Sequence, residues 1–96
     1  MSTIIAGKYK GRTIRIRNLK NVRPTLAKVK KSIFQILEPI ENKNVLDLYS
    51  GTGSIGLEFL SRGAGMVTMV ERSKKLVSIL HNNISKIHSD NNYNII

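Results

Sequence analysis

The chain opens with apolar residues at the two-residue period that is typical of β-strands. Residues 3–6 and 12–17 predict two short strands, and in the second strand Ile14 and Ile16 share one face while arginines occupy the other. A glycine stands on each side of the short link between these strands. The pattern therefore predicts a β-hairpin whose outer face is basic.

Helical spacing follows the hairpin. Residues 24–38 predict a helix that ends before Pro39, because proline disfavours the α conformation in the residue that precedes it. Four apolar residues fall on one face of this helix: Leu26, Val29, Ile33 and Leu37. We expect the two phenylalanines of the chain, Phe34 and Phe59, to lie in the core.

The rest of the chain alternates short apolar strands with helices. Strands are predicted at residues 44–49 and 66–71; the first leads through a glycine turn into a helix that stops at Gly63, and the second leads into a helix capped by Ser73. Residues 94–96 resemble the start of a third strand. The order strand, helix, strand, helix, strand predicts an α/β fold with a parallel sheet covered by helices, and the hairpin and first helix lie beside it.

Basic residues are concentrated near the start of the chain. The net charge is +10, and the first 31 residues carry ten Lys and Arg without one acidic residue, whereas residues 44–96 carry five basic and four acidic residues. Such a polycation favours an RNA or DNA partner, because each neutralised phosphate releases counterions; a solvated basic surface is the alternative. The predicted RNA-binding residues are Lys8, Lys10, Arg12, Arg15, Arg17 and Arg23.

Composition excludes several classes of protein. The 96 residues contain no cysteine, so disulfides and thiolate metal sites are excluded. His81 and His88 lie seven residues apart without converging acids, and we predict no metal site. No apolar run is long enough for a membrane span or a secretory signal, so we expect a cytoplasmic protein without a membrane partner.

A glycine-rich turn carries the clearest chemical signal. Residues 51–56 read Gly-Thr-Gly-Ser-Ile-Gly between a predicted strand and helix, and Glu71 ends the next strand twenty residues after Gly51. The glycines let the backbone approach a nucleoside ligand, the helix N-terminus favours an anionic group, and Glu71 can accept hydrogen bonds from ribose hydroxyls. The alternative is a turn whose glycines serve packing alone, with Glu71 a solvated strand end.

Asp47 narrows the choice of ligand. It lies four residues before Gly51, where a carboxylate is unfavourable for a pyrophosphate but favourable for a cation. S-adenosylmethionine carries an ammonium and a sulfonium, and its carboxylate can face the helix N-terminus; a nicotinamide-dependent oxidoreductase is a weaker alternative. The predicted cofactor-binding residues are Asp47, Tyr49, Ser50, Gly51, Thr52, Gly53, Gly56, Glu71 and Arg72.

The D-x-x-x-G-x-G turn resembles motif I of class I S-adenosylmethionine-dependent methyltransferases, and Glu71 resembles their motif II acid. Further segments, in the same order, are similar to the bacterial 16S rRNA guanine-N2 methyltransferase family: I-I-A-G-K-Y-K-G-R at 4–12, R-P-T at 23–25, S-I-F-Q-I-L at 32–37 and S-R-G-A at 61–64. The resemblance runs from about residue 4 to residue 87. It implies that Asp47, Gly51, Gly53 and Glu71 hold the cofactor and that the hairpin contacts rRNA.

The same resemblance implies a Rossmann-like class I methyltransferase sheet, present in part, with an N-terminal hairpin and helix. Residues 1–43 would then contact the 16S rRNA of the small ribosomal subunit, and residues 44–96 would form the N-terminal half of the S-adenosylmethionine-binding domain. Lys31 departs from the family pattern, which usually has an acid at that position.

A larger departure concerns catalysis. The family transfers the methyl group with an Asp/Asn-Pro-Pro-Tyr/Phe loop, whereas the two prolines of this chain, Pro24 and Pro39, are not adjacent. We therefore assign no catalytic residue, and we expect little or no methyl transfer from these 96 residues alone, because half a site can bind cofactor without positioning the acceptor. The non-enzymatic alternative is a degenerate remnant that binds RNA through its basic N-terminus.

Overall fold

The computed structural model describes residues 2–15, 26–48 and 50–96. Five strands and three helices occupy these ranges, in the order β1 (Ser2–Thr3), β2 (Thr13–Ile14), α1 (Leu26–Leu37), β3 (Asn44–Leu48), α2 (Ser54–Ser61), β4 (Met66–Val70), α3 (Lys74–Ile87) and β5 (Tyr93–Ile95). Within the described ranges, no helix is long and apolar enough to cross a bilayer.

The predicted hairpin is confirmed, but its strands are shorter than expected. β1 pairs antiparallel with β2 over two residues of each strand. The ladder does not extend to Ile5 and Ala6, because their N–H groups donate to the carboxylate of Glu58 on α2 instead. Gly7, at φ 89°, is required where the chain passes α2, since a Cβ there would overlap the backbone carbonyl of Ser61.

The parallel sheet follows the predicted order of elements. β3, β4 and β5 form a three-stranded sheet with β4 in the centre, and both pairings are parallel. The third strand, predicted at residues 94–96, is present as β5. Ser73 caps α3 as predicted, with its side-chain oxygen accepting the N–H of Leu76 at 3.3 Å.

One hydrophobic core joins the hairpin, the helices and the sheet. It includes Ile4, which follows β1, Ile14 of β2, Phe34 of α1, Phe59 of α2 and Met69 of β4. The prediction that both phenylalanines are core residues is confirmed, and their rings pack with centroids 4.5 Å apart.

The buried face of α1 is not the apolar face that the sequence predicts. Val29 and Leu37 are 51% and 49% exposed, whereas Lys30 and Phe34 are almost completely buried. The reason is electrostatic: Lys30 lies against the buried carboxylate of Glu58, so a cation occupies a position that hydrophobic periodicity assigns to an apolar side chain. Lys31, where the sequence departs from the family pattern, is exposed.

The parallel sheet buries one face more fully than the other. Val67 and Met69 of β4 are completely buried, whereas Leu46 and Leu48, on the opposite face of the neighbouring strand β3, are 64% and 57% exposed. Parallel sheets are usually covered on both faces. The face that carries Leu46 and Leu48 is therefore an exposed apolar surface in this structure.

Candidate functional site

The glycine turn connects the C-terminal end of β3 with the N-terminus of α2. Gly51 and Gly53 both have left-handed backbone conformations, with φ values of 58° and 96°. Apart from the neighbours of Gly51 in the chain, no described residue has an atom within 4 Å of a Cβ built on Gly51, whereas a Cβ on Gly53 would overlap Leu80 of α3. Gly53 caps α2 without a side-chain hydrogen bond, and the N-terminus of a helix favours an anionic group.

Asp47 lies on β3 immediately before this turn. Its Oδ2 atom is buried and has no hydrogen-bond partner within the described part of the chain, and it lies 3.6 Å from a Cβ built on Gly56. Burial raises the pKa of Asp47 above its ordinary value, and the negative charge of Glu71 adds to this effect. A cationic ligand would supply the missing partner and would stabilise the ionised carboxylate.

Glu71 follows β4 at the same end of the sheet. Its Oε1 accepts the N–H of Gly51 at 2.7 Å, and its Oε2 accepts the N–H of Ser73 at 2.8 Å. These bonds fix the carboxylate beside the glycine turn. Each oxygen can still accept another hydrogen bond, so a vicinal diol such as that of ribose can bind here.

The other predicted cofactor residues take different positions. Ser50 is buried, and its hydroxyl donates to the carbonyl of Asp47 at 2.9 Å, whereas Arg72 is exposed. Gly56 lies against Met69, where a Cβ would overlap the sulfur, so its contact here is one of helix-to-strand packing. Tyr49 lies outside the described residues, and the assignment of each of these residues to the cofactor stays a prediction.

The predicted RNA-binding residues of the hairpin are all exposed where the structure describes them: Lys8, Lys10, Arg12 and Arg15. Lys8 pairs with Asp90 at 3.3 Å, and the guanidinium of Arg12 donates to the carbonyl of Lys86 at the end of α3. Arg17 and Arg23 lie outside the described residues. The exposed hairpin residues form a basic surface beside the C-terminal part of α3.

A buried ionic network, which the sequence reasoning missed, anchors the hairpin and α1. Glu58 of α2 is completely buried and lies 3.1 Å from Lys30 and 2.8 Å from Arg62, and Arg62 also pairs with Glu38. Glu58 further accepts the N–H groups of Ile5 and Ala6. Glu58 therefore holds three separate segments together.

Burial disfavours the charged forms of both Glu58 and Lys30. Hydrogen bonds from Ile5, Arg62 and Lys30 outweigh this penalty for Glu58 and hold its pKa below the ordinary value. Burial lowers the pKa of Lys30, although Glu58 opposes that effect. The ammonium of Lys30 also has Thr3 O at 3.3 Å and Ser54 Oγ at 3.2 Å, which matches its three donors with three acceptors.

Both ring nitrogens of His88 lie within hydrogen-bonding distance of neighbouring side chains. Its Nδ1 lies 2.6 Å from the Tyr9 hydroxyl, and its Nε2 lies 2.6 Å from Asn92 Oδ1. Asn92 Nδ2 donates to the carbonyl of Ala64, so Asn92 Oδ1 accepts from Nε2–H and Nδ1 accepts from Tyr9. In the described residues, no group of three or more His, Cys, Asp or Glu side chains could hold a metal ion.

Asn83 is the second residue that the sequence reasoning missed. It is 3% exposed on α3 and bonds both to the hairpin and to the glycine turn. The available signal is a polar residue inside the apolar stripe of a helix, three residues after Leu80 and four before Ile87. Glu58, between apolar neighbours in a mostly buried helix, gives the same kind of signal.

Residues 2–96 match the family described as Conserved hypothetical protein 95. The chain is 38% identical over 93 residues to ribosomal RNA small subunit methyltransferase D of Buchnera aphidicola, covering 96% of this chain and 47% of that protein. It is 39% identical over 85 residues to the enzyme of the same name from Haemophilus influenzae, covering 88% of this chain and 44% of that protein.

Solved structures give a consistent result. An Escherichia coli protein described as a candidate methyltransferase aligns with a TM-score of 0.88 at 30% identity, over 99% of this chain and 51% of that chain. A candidate methylase from Haemophilus influenzae aligns with a TM-score of 0.75 at 31% identity, over 98% of this chain and 49% of that chain. This chain thus spans about half the length of these relatives. The methyltransferase resemblance and the Rossmann-like fold predicted from the motifs are confirmed.

Proposed function

Because the chain belongs to the Conserved hypothetical protein 95 family, we propose that it is the S-adenosylmethionine-binding N-terminal part of an rRNA methyltransferase. The acceptor is the exocyclic amine N2 of a guanine in 16S rRNA of the small ribosomal subunit. The names of the relatives support an rRNA substrate, and the guanine-N2 acceptor rests on the motif resemblance.

The observation that carries this proposal is the Oδ2 atom of Asp47, which has no hydrogen-bond partner among residues 2–15, 26–48 and 50–96. A half-buried carboxylate with one buried oxygen and a raised pKa, near the end of a parallel strand, is favourable for a ligand that brings a positive charge. Glu71 would accept the ribose hydroxyls, and the N-terminus of α2 would face the carboxylate of the amino acid moiety. When bound, S-adenosylmethionine would supply an electrophilic methyl group for the guanine amine.

The charge distribution along the chain assigns its two parts to different ligands. Residues 1–43 contribute the exposed cations that contact rRNA phosphates, and residues 44–96 hold the cofactor. Each phosphate contact to single-stranded RNA contributes roughly 0.7 to the slope of log affinity against log salt concentration. Replacing Lys10 with Ala should reduce that slope by about this amount for a 16S rRNA transcript.

Calorimetry with S-adenosylhomocysteine tests the cofactor assignment. We expect Asp47→Asn to weaken binding by about tenfold or more, since a charge-assisted contact contributes ~1.5–3 kcal/mol. Wild-type affinity should rise with pH through the raised pKa of Asp47, because the ligand's ammonium binds the ionised carboxylate. The matched control is Asp90→Asn on the exposed loop before β5, which should leave the affinity unchanged.

Three outcomes would contradict the assignment. Asp47→Asn with wild-type affinity and wild-type pH dependence would exclude the proposed role of the carboxylate. Tighter binding of NADH than of S-adenosylhomocysteine would favour the oxidoreductase alternative. Salt-dependent RNA binding without cofactor binding would favour the non-enzymatic alternative, which the exposed cations among the first 31 residues support.

We also propose that these 96 residues do not complete the reaction alone. No Asp/Asn-Pro-Pro-Tyr/Phe loop is present in them to hold the guanine amine against the methyl group. Incubation with labelled S-adenosylmethionine and 30S particles should give no incorporation above a no-enzyme control. Clear incorporation would show that another part of this chain positions the acceptor.

A further inference from the structure

A single buried amide joins the glycine turn to the basic hairpin. Asn83 Nδ2 donates to the carbonyl oxygens of Thr52 and Arg15, both at 2.8 Å, and Asn83 Oδ1 accepts the N–H of Arg15 at 3.1 Å. An asparagine amide has two donor hydrogens and two acceptor lone pairs. Three of these four positions therefore form hydrogen bonds. These bonds connect Arg15 with Thr52, which lie 37 residues apart in the sequence.

The side-chain amide of Asn83 cannot flip without losing these hydrogen bonds. A rotation of about 180° would place Oδ1 against two carbonyl oxygens and would leave the Arg15 N–H facing donor hydrogens. Because the residue is buried, water cannot replace the lost partners. The planar group therefore has one orientation, and that orientation depends on the positions of both Thr52 and Arg15.

The two segments that Asn83 joins are the ones to which the proposed function assigns the two ligands. Thr52 is the central residue between the two left-handed glycines, Gly51 and Gly53, and Leu80 of the same helix packs on Gly53. Arg15 follows the buried Ile14 of β2 and has an exposed side chain on the basic hairpin. If cofactor binding shifts the Thr52 carbonyl, the Nδ2 donors that also hold the Arg15 carbonyl change direction with it.

We propose that Asn83 is a positioning residue that couples cofactor binding at the glycine turn to RNA binding at the hairpin. This proposal rests on the proposed function and adds a thermodynamic link between its two ligands. Such a link is reciprocal: if RNA strengthens cofactor binding by a given factor, the cofactor strengthens RNA binding by the same factor. A typical coupling corresponds to roughly 5–150-fold in affinity.

Hydrogen exchange on the 96-residue chain tests the coupling without relying on turnover. A 16S rRNA transcript should slow amide exchange in residues 50–57 by about fivefold or more, and S-adenosylhomocysteine should do the same at Arg15. Asn83→Ser should reduce both of these remote effects to less than about twofold while each ligand still protects its own segment. The matched control is Asn82→Ser, which changes an exposed neighbour on the same helix and should retain both effects.

A merely structural role for Asn83 gives a different result. In that case Asn83→Ser lowers the free energy of unfolding but leaves both remote effects on amide exchange unchanged. That outcome overturns the proposal. Absence of both remote effects in the wild-type chain also overturns it, whether or not the variant folds. Failure of the cofactor assignment is recognised separately, as absence of S-adenosylhomocysteine binding in calorimetry, whereas failure of the coupling alone leaves both ligands bound and both remote effects absent.

Discussion

Replacing Glu58 with Gln keeps the size of the side chain and removes the negative charge from the buried network. Its Oε1 lies 3.1 Å from the ammonium of Lys30 and accepts the Ile5 N–H, and its Oε2 accepts the Ala6 N–H and Arg62 Nε–H. In Glu58→Gln the amide NH₂ group takes one of these positions. At the Oε2 position it would face two donors, and the ammonium of Lys30 would remain buried without a counter-charge.

The magnitude follows from the depth of this network. Removing one member of a buried ion pair costs about 3–5 kcal/mol, because the remaining charge stays desolvated without compensation. A 96-residue domain is expected to have a free energy of unfolding of roughly 5–14 kcal/mol at about 0.05–0.15 kcal/mol per residue. The substitution therefore removes a large part of the total stability and, in the less stable part of this range, prevents folding.

Urea unfolding followed by circular dichroism measures this effect. With a slope of about 1.5 kcal/mol per molar urea, we expect the midpoint to fall by about 2–3 M. Glu41→Gln, which neutralises an exposed acid, should change the free energy of unfolding by less than about 0.5 kcal/mol. Adding Lys30→Met to Glu58→Gln should recover stability relative to the single variant, because it removes the uncompensated cation. A Glu58→Gln variant within about 1 kcal/mol of wild type would refute this reasoning.

Acid titration and a surface substitution give two more tests. The folded state holds the pKa of Glu58 below its ordinary value, so the unfolded state binds more protons at acidic pH. The contribution of Glu58 to stability is therefore complete above about pH 4.3 and is lost as the pH falls towards the lower pKa of the folded state. Thermal unfolding at several pH values should show this loss in wild type and not in Glu58→Gln. Replacing both Leu46 and Leu48 with Thr should reduce concentration-dependent association in sedimentation velocity, because both side chains are exposed on β3; unchanged association, or a loss of stability above about 1 kcal/mol, would contradict this.

The order of elements was predictable because most segments obey simple periodicity. The short apolar strands β3 and β4, the Ser73 cap and the glycine turn each depend on local sequence, and the structure places them where the pattern predicts. The buried face of α1 was not predictable in the same way. Periodicity assigns Lys30 to solvent, and only its distant partner Glu58, 28 residues later, makes its burial favourable.

The candidate site shows the same limit. The sequence indicates Asp47 and Glu71 because their positions relative to the glycines and strand ends are local features. Asn83 belongs to no such motif, because its partners Thr52 and Arg15 precede it by 31 and 68 positions along the chain. Polar residues inside apolar helical stripes, such as Asn83 and Glu58, are the positions where this sequence departs from its own periodicity.

The basic hairpin cannot behave as an independent appendage of the cofactor-binding part. Releasing it would expose Ile4 and Ile14, which are almost completely buried, at a cost of about 1.5–3 kcal/mol for each side chain. It would also leave the Glu58 carboxylate without the Ile5 and Ala6 N–H groups. These losses approach the expected stability of the whole domain. The boundary near residue 43 therefore divides predicted functions, and we expect the hairpin to fold together with the cofactor-binding part.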